Sequence, residues 1–538
     1  MAGDTLIVNV CNNLGNQSTT IHWHGIFQNG TNSMDGTTGV TQCAIAPGRT
    51  QRYEFIADRP GTYWYHSHVG GQFPDGLWGP LNIHDPNPPF KYDDEFTIAL
   101  ADWYDESSPE LVHKYQSPEG LALDGTPKPS GGAVYGYWSP HGPPQLGKNL
   151  SIPVVPGKTY MIRLICAASY PGIAWDMNGH AQTTVEVDGT YVKPQFIKKG
   201  GVLVRLAPGQ RQAVLVTMDA DPSKNWPIWS ILDLNILFGN KNIPKAVPIA
   251  EHYNPNVTSW LVYNKSAELP PAHVYYEDLL NDDFYDDLDY VPLDGMPLLE
   301  PVDHQIIFNV TAKNISSISR FAINNSSYVG SDVPALYTAN TIDQKYVANP
   351  LVYGQVNPII LKHNEVVEII INNKDSNLHP WHLHGHNFQV LDRPNPYGGV
   401  YNGTYNRTVS RVPVRRDSVM LQDYSYAVLR FRADNPGVWM FHCHIELHVN
   451  SGLMSTFIEA PERLVAHNKK PTQATLDLCK DYKIPIAGNA VGNTKDVLDL
   501  GPQKGIPTSN WGPMFPPDSK PYEAKSNQLS CRAAKRLA

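Results

Sequence analysis

Segments near the two ends of the chain repeat one another. DRPGTYWYHSH at 58–68 and DNPGVWMFHCH at 434–444 agree nearly position for position, and HWHGIF from His22 is answered by HLHGHNF from His382. Internal self-similarity confines a chain to repeated copies of one unit. The distance from His24 to His66 is 42 residues and from His384 to His442 is 58, so each end is read as one β domain with two histidine-bearing strands. The middle repeats only the scaffold: APGQRQAVLV at 207–216 resembles APGRTQRYEF at 46–55, and no His-x-His follows it. The middle unit is expected to share the fold without the ligands.

A chain of 538 residues is too long for one core, which suggests three or four domains. With 41 Gly, 46 Pro, 10% aromatic and only 17% charged residues, it should consist of short strands joined by Gly/Pro turns, an all-β protein. Composition places a first domain at 1–90, ending where DPNPPF breaks the chain, and a second at 91–265. An acidic connector at 266–302 is read as a solvated linker, followed by a third domain at 303–465 and a Lys- and Pro-rich tail at 466–538 expected to wrap or be partly disordered.

The net charge of −9 shows no basic footprint for nucleic acid or acidic lipid, which leaves a small molecule as the expected partner and a monomer as the expected form. No stretch approaches the roughly 18 apolar residues of a membrane span. MAGDTLIVNV has neither the basic nor the long apolar region of a signal peptide. Sequons at Asn16, Asn29, Asn149, Asn256, Asn264, Asn309, Asn314, Asn402 and Asn406 nevertheless point to a secreted or cell-wall glycoprotein. The six cysteines are too few for a disulfide scaffold.

Four His-x-His pairs occur, His22/His24, His66/His68, His382/His384 and His442/His444. Residues i and i+2 of a strand share a face, so each pair presents two imidazoles side by side. Imidazole suits copper and zinc, and eight rings exceed the needs of one ion. Cys443 lies between His442 and His444, so its sulfur points to the opposite face. With His379 upstream of His382 and His448 five residues past the cysteine, one Cys and two His complete the trigonal set of a blue copper site. One strand thus serves a single copper on one face and a copper cluster on the other. His180 and His386 fall outside this set and are read as packed, hydrogen-bonded histidines.

HWHG, YHSH, HPWHLHGH and HCHIELH, in this order, resemble the four copper signatures of the multicopper oxidases, a family of laccases, ascorbate oxidases and iron oxidases; the resemblance covers roughly residues 3–465. It implies three consecutive cupredoxin-like β-sandwiches, the first N-terminally shortened because only 21 residues precede HWHG, with a copper cluster between the first and third. It implies four coppers: a type 1 held by His379, Cys443 and His448, a type 2 by His22 and His382, and a type 3 pair by His24, His66 and His444 and by His68, His384 and His442. Leu453, ten residues beyond the cysteine, takes the axial position without coordinating, which raises the potential; Met454 is on the opposite face. Asp35 and Glu446 match the proton-relay acids, and Cys43 and Cys479 match a disulfide of fungal laccases.

In RLICAASYPGIAWDMNGH, Tyr170 stands where many fungal laccases carry an acid and Asn178 where yeast-type iron oxidases carry a Glu; Tyr170, Asp176 and Asn178 are the expected substrate-side residues. Ferrous iron wants carboxylate oxygens, so the missing Glu favours a laccase-like oxidase that takes electrons near His448 from phenolic or related aromatic reductants and passes them to dioxygen. An iron or other metal oxidase is the alternative, and a copper-storage protein is less favoured.

Overall fold

The computed structural model describes residues 1–118, 120, 126–138, 145–146, 150–199, 204–233, 237, 255–272, 286–315 and 317–502. Strands dominate it, arranged in six sheets. Thr50–Ile56 shows the local cause: Gln51, Tyr53 and Phe55 are buried while Thr50, Arg52 and Ile56 are exposed, the period-two pattern of a sheet with one wet face.

The first domain pairs Thr5–Cys11 with Thr50–Ile56, and sets Gly61–Ser67 between Ile21–His24 and Trp78–Ile83. The middle domain has a seven-stranded and a five-stranded sheet. The third has a six-stranded sheet and a five-stranded one, in which Gly437–Cys443 lies between His379–Leu383 and Met454–Glu459.

Register puts the histidines together. His22 opposes His66 in the first domain, while His382 opposes His442 and Trp381 opposes Cys443 in the third. Directly opposed residues in an antiparallel pair share a face. The even-numbered histidines 382, 384, 442 and 444 therefore look one way, and His379 and Cys443 the other. The glycines that close HWHG and HLHG are required by close approach: both have positive φ, and a Cβ would lie 2.4 Å from Arg211 on Gly25 and 2.5 Å from the Trp439 ring on Gly385.

Two outer segments differ in how they match expectation. The tail wraps: the helix Gln473–Asp481 lies against Thr50–Ile56, and Cys43 and Cys479 are disulfide-bonded. The connector, read above as solvated, is docked over its described part. Asp287 pairs with Arg393 and Arg416, each at 2.7 Å, Asp286 and Asp289 with Arg407, and Asp294 with Arg415. The acidic run answers a set of third-domain arginines that are far away in sequence. Residues 273–285 and 503–538, including Cys531, lie outside the described residues. Among the described residues no helix is long and apolar enough to cross a membrane.

Candidate metal centres

The Cys443 Sγ lies 3.5 Å from His379 Nδ1 and 3.8 Å from His448 Nδ1, and the two nitrogens are 3.2 Å apart. Strand Gly437–Cys443 supplies the sulfur. The one-turn helix Glu446–Asn450 brings His448 back over it, and His379 comes from the neighbouring strand. Met454 opposes His442 and so faces the histidine cluster, which leaves Leu453 on the face of Cys443, in the same apolar core as Trp381. Burial pushes the Cys443 thiol well up, so a metal there must displace a proton.

The outward nitrogens are both engaged. His379 Nε2 donates to the Asp375 carboxylate, 3.2 and 3.3 Å from its oxygens, and His448 Nε2 is hydrogen-bonded to Thr126 Oγ1 at 2.9 Å. Such partners fix the tautomer and leave Nδ1 to the metal. The helix Ser108–Tyr115 packs on the helix Glu446–Asn450 that carries His448, where Gln116 donates to the Asn450 carbonyl. His379 and His448 are 0% exposed, whereas Asp375 keeps 8%.

On the opposite face His24, His66 and His444 form one triad and His68, His384 and His442 another, with His22 and His382 beside them. Burial, reinforced by neighbouring rings, holds His66, His68, His384 and His444 well below the usual imidazole range, so they are neutral and ready to ligate. His22, His66 and His382 each spend Nδ1 on a backbone carbonyl at 2.9 Å, of Asp35, Ser67 and Asp417 respectively. Their Nε2 atoms are buried without a hydrogen-bond partner. His24 is turned round, with Nε2 on Asp417 Oδ1 at 3.2 Å and Nδ1 3.3 Å from His444 Nε2. Buried orphan nitrogens converging among neutral imidazoles fit copper, and they are costly without a metal.

Asp35 Oδ2 lies 2.9 Å from His384 Nδ1; burial alone would raise this carboxyl, but His22 and the Thr37 hydroxyl hold it below the usual range. Glu446 accepts from Gly71 N and Asn450 Nδ2, and burial pushes it up to about 7. It lines a small cavity with His66, His68, Phe73, His442 and His444, next to both triads.

Tyr170 sits with its ring 6.4 Å from that of His448. Asp176 and Asn178 are buried in the middle domain and hydrogen-bond one another at 2.8 Å. His180 bonds Tyr263 and His386 bonds Glu459, each at 2.6 Å, as packed histidines should. Sequence reasoning missed Asp375, Asp417 and Thr126. Asp375, four residues before His379, was within reach of a spacing argument; the other two meet their partners only through the fold.

Three multicopper oxidase family models match residues 1–88, 94–266 and 328–463. The chain is 41% identical to the iron transport multicopper oxidase fetC of Epichloe festucae, over 94% of this chain and 78% of that protein. It is 38% identical to the iron transport multicopper oxidase FET3 of Gibberella zeae, over 96% and 79%. Among solved structures, Fet3p, a multicopper oxidase that functions in iron import, superposes with a TM-score of 0.83 at 32% identity, covering 93% of this chain and 92% of that one. The laccase of Botrytis aclada gives 0.70 at 26% identity, covering 89% and 85%. Four coppers, a reductant and dioxygen come with this assignment. By three family models and by relatives that align with 94% or more of it, the chain belongs to the multicopper oxidases.

Proposed function

We propose that this oxidase takes its electrons from ferrous iron, and that the laccase-like reading favoured by the sequence gives way to the metal-oxidase alternative. The observation that carries the reading is Asp375, a carboxylate bonded to the type 1 ligand His379 and more exposed than either type 1 histidine. A hard cation prefers carboxylate oxygen. Similarity to iron transport multicopper oxidases supports it. A phenol would have to reach the His448 edge, which Thr126 covers.

Copper, when bound, supplies the one-electron acceptor and the reducing site for dioxygen. The chain does the rest. Asp375 receives the ferrous ion, stabilises the ferric product by charge, and links it to His379 through one hydrogen bond. His379, Cys443 and His448 are held at the type 1 position, and Cys443 joins that position through its own backbone to His442 and His444. Dioxygen leaving as two waters needs four electrons and four protons. Glu446, which keeps its proton up to about pH 7, stands in the cavity beside both triads as the donor. Asp35 orients His384 and, through its backbone carbonyl, His22.

The exposed sequon residues Asn16, Asn29, Asn314, Asn402 and Asn406 support an exported glycoprotein, which a mass shift on deglycosylation would establish. The substrate assignment is tested by steady-state oxygen uptake with ferrous iron and with 2,6-dimethoxyphenol. A kcat/KM for iron well above that for the phenol is expected, and the reverse order overturns the assignment.

A further inference from the structure

The middle domain carries no copper ligand, yet one of its turns rests on the cluster. Residues 207–210 join strands Val204–Leu206 and Arg211–Thr217, closed by Gln210 N donating to the Ala207 carbonyl at 2.9 Å. Gly209, at φ +85°, lies directly on the histidines: a Cβ there would be 2.9 Å from His444 Cδ2, 3.0 Å from His24 Cε1 and 3.1 Å from Ser418 Oγ. Both rings belong to one triad. Gln210 Nε2 donates to the Ser418 carbonyl at 3.0 Å.

Arg211 continues the contact. It is fully buried, and its guanidinium donates to both oxygens of Asp417, at 2.6 and 2.7 Å. It also donates to the Thr62 carbonyl of the first domain at 3.0 Å, while its backbone N–H donates to Asp188 at 2.7 Å. Asp417 bonds His24 Nε2 through its carboxylate and His382 Nδ1 through its carbonyl. Beyond Asp188 the charges go on alternating, through Arg416 to Asp287 of the docked connector. A planar, bidentate fork fixes a carboxylate in orientation as well as in charge, which a lysine cannot do.

We infer that the turn 207–211 is the positioning element of the copper cluster: Gly209 seats the His24 and His444 rings, and Arg211 aims Asp417 at His24 and His382. All three domains meet at Arg211. The middle domain's scaffold repeat, which lacks histidines of its own, thereby sets the geometry of histidines that the outer domains supply. Neither residue is a ligand. Both act through the imidazoles, and the inference is independent of which reductant the enzyme uses.

The test removes copper from the holoenzyme with a graded chelator and follows the blue type 1 absorption and the cluster copper separately, by spectra, electron paramagnetic resonance and copper count. The variants are Arg211→Lys and Gly209→Ala, with Arg205→Lys as control, since Arg205 pairs with Asp233 inside the same domain. Partners that orient a metal-bound histidine are worth about 10- to 100-fold in metal affinity. Arg211→Lys and Gly209→Ala should release cluster copper at a chelator concentration lower by about that factor with an unchanged blue site, and Arg211→Lys, which reaches His382 through Asp417, should also alter the type 2 resonance. The control should match the wild type. Cluster copper held as tightly as in the wild type, with an unchanged resonance, overturns the inference. So does a parallel loss of type 1 and cluster copper in both variants, because that is general destabilisation.

Discussion

Gly61–Ser67 and Gly437–Cys443 are one strand used twice, each offering cluster histidines from one face and each paired with a second histidine strand. They differ at the residue between the last two histidines. In the first domain this is Ser67, whose hydroxyl donates to Gln72 at 2.8 Å. In the third it is Cys443, whose sulfur faces two imidazole nitrogens. The first copy therefore only holds the cluster, while the second also connects it to a site where electrons arrive. The difference lies as much in the surroundings as in the residue, because His379 and His448 have no counterparts around Ser67.

Making the third copy like the first should have the largest effect. Cys443→Ser is expected to abolish the blue absorption and turnover with every reductant while the cluster keeps its copper, checked by spectra and metal analysis. Retained blue colour would refute the ligand assignment.

The next test separates the copies by stability. The type 1 residues all come from the third domain, but the cluster needs the first, which the Cys43–Cys479 bridge ties to the tail across 436 residues of sequence. Replacing both cysteines by alanine should lower stability by about 6 kcal/mol in the chain-entropy account. In a guanidinium titration cluster copper should leave before the blue colour fades. Simultaneous loss would show that the bridge does not act on the first domain in particular.

A smaller effect concerns the first domain's seat on the middle one. Glu95, at the start of a middle-domain strand, bonds His84 and Arg163. Burial would raise its carboxyl, but His84 and Arg163 outweigh that and bring it down to about 2. A folded pKa below the unfolded one contributes stability that is present above about pH 4.5 and lost as the pH falls toward 2. Glu95→Gln should flatten the acid-unfolding curve across that window, and an unchanged curve would contradict the pairing. The smallest expected effect is none: Ser67→Cys should create no second blue site, because Gln72 rather than an imidazole faces that position.

The copper sites were legible in the sequence because period-two alternation converts His-x-His and His-Cys-His directly into faces of a strand. The axial role of Leu453 is implied by the family resemblance, and alternation agrees with it in placing Met454 opposite His442. Strand periodicity carries no information on what packs over a face. The cover of His448 by Thr126 and the approach of Arg211 to Asp417 are contacts between residues 322 and 206 positions apart. The acidic connector misled for a similar reason. A run of Asp reads as solvated until its arginine partners, more than 100 residues away, are folded against it. Substrate choice was less legible: Asn178 stands where an iron-binding acid was expected, and the carboxylate bonded to a type 1 ligand is Asp375.

The account turns on Asp375 as the place where iron delivers its electron. The direct measurement is the anaerobic rate at which ferrous iron bleaches the blue absorption in the wild type and in Asp375→Ala, with a phenol as the second reductant. Asp375 also orients His379, a role worth about 10- to 100-fold with any reductant, so the account predicts a fall with iron well beyond the fall with the phenol. An equal fall with both, or none with iron, would contradict it.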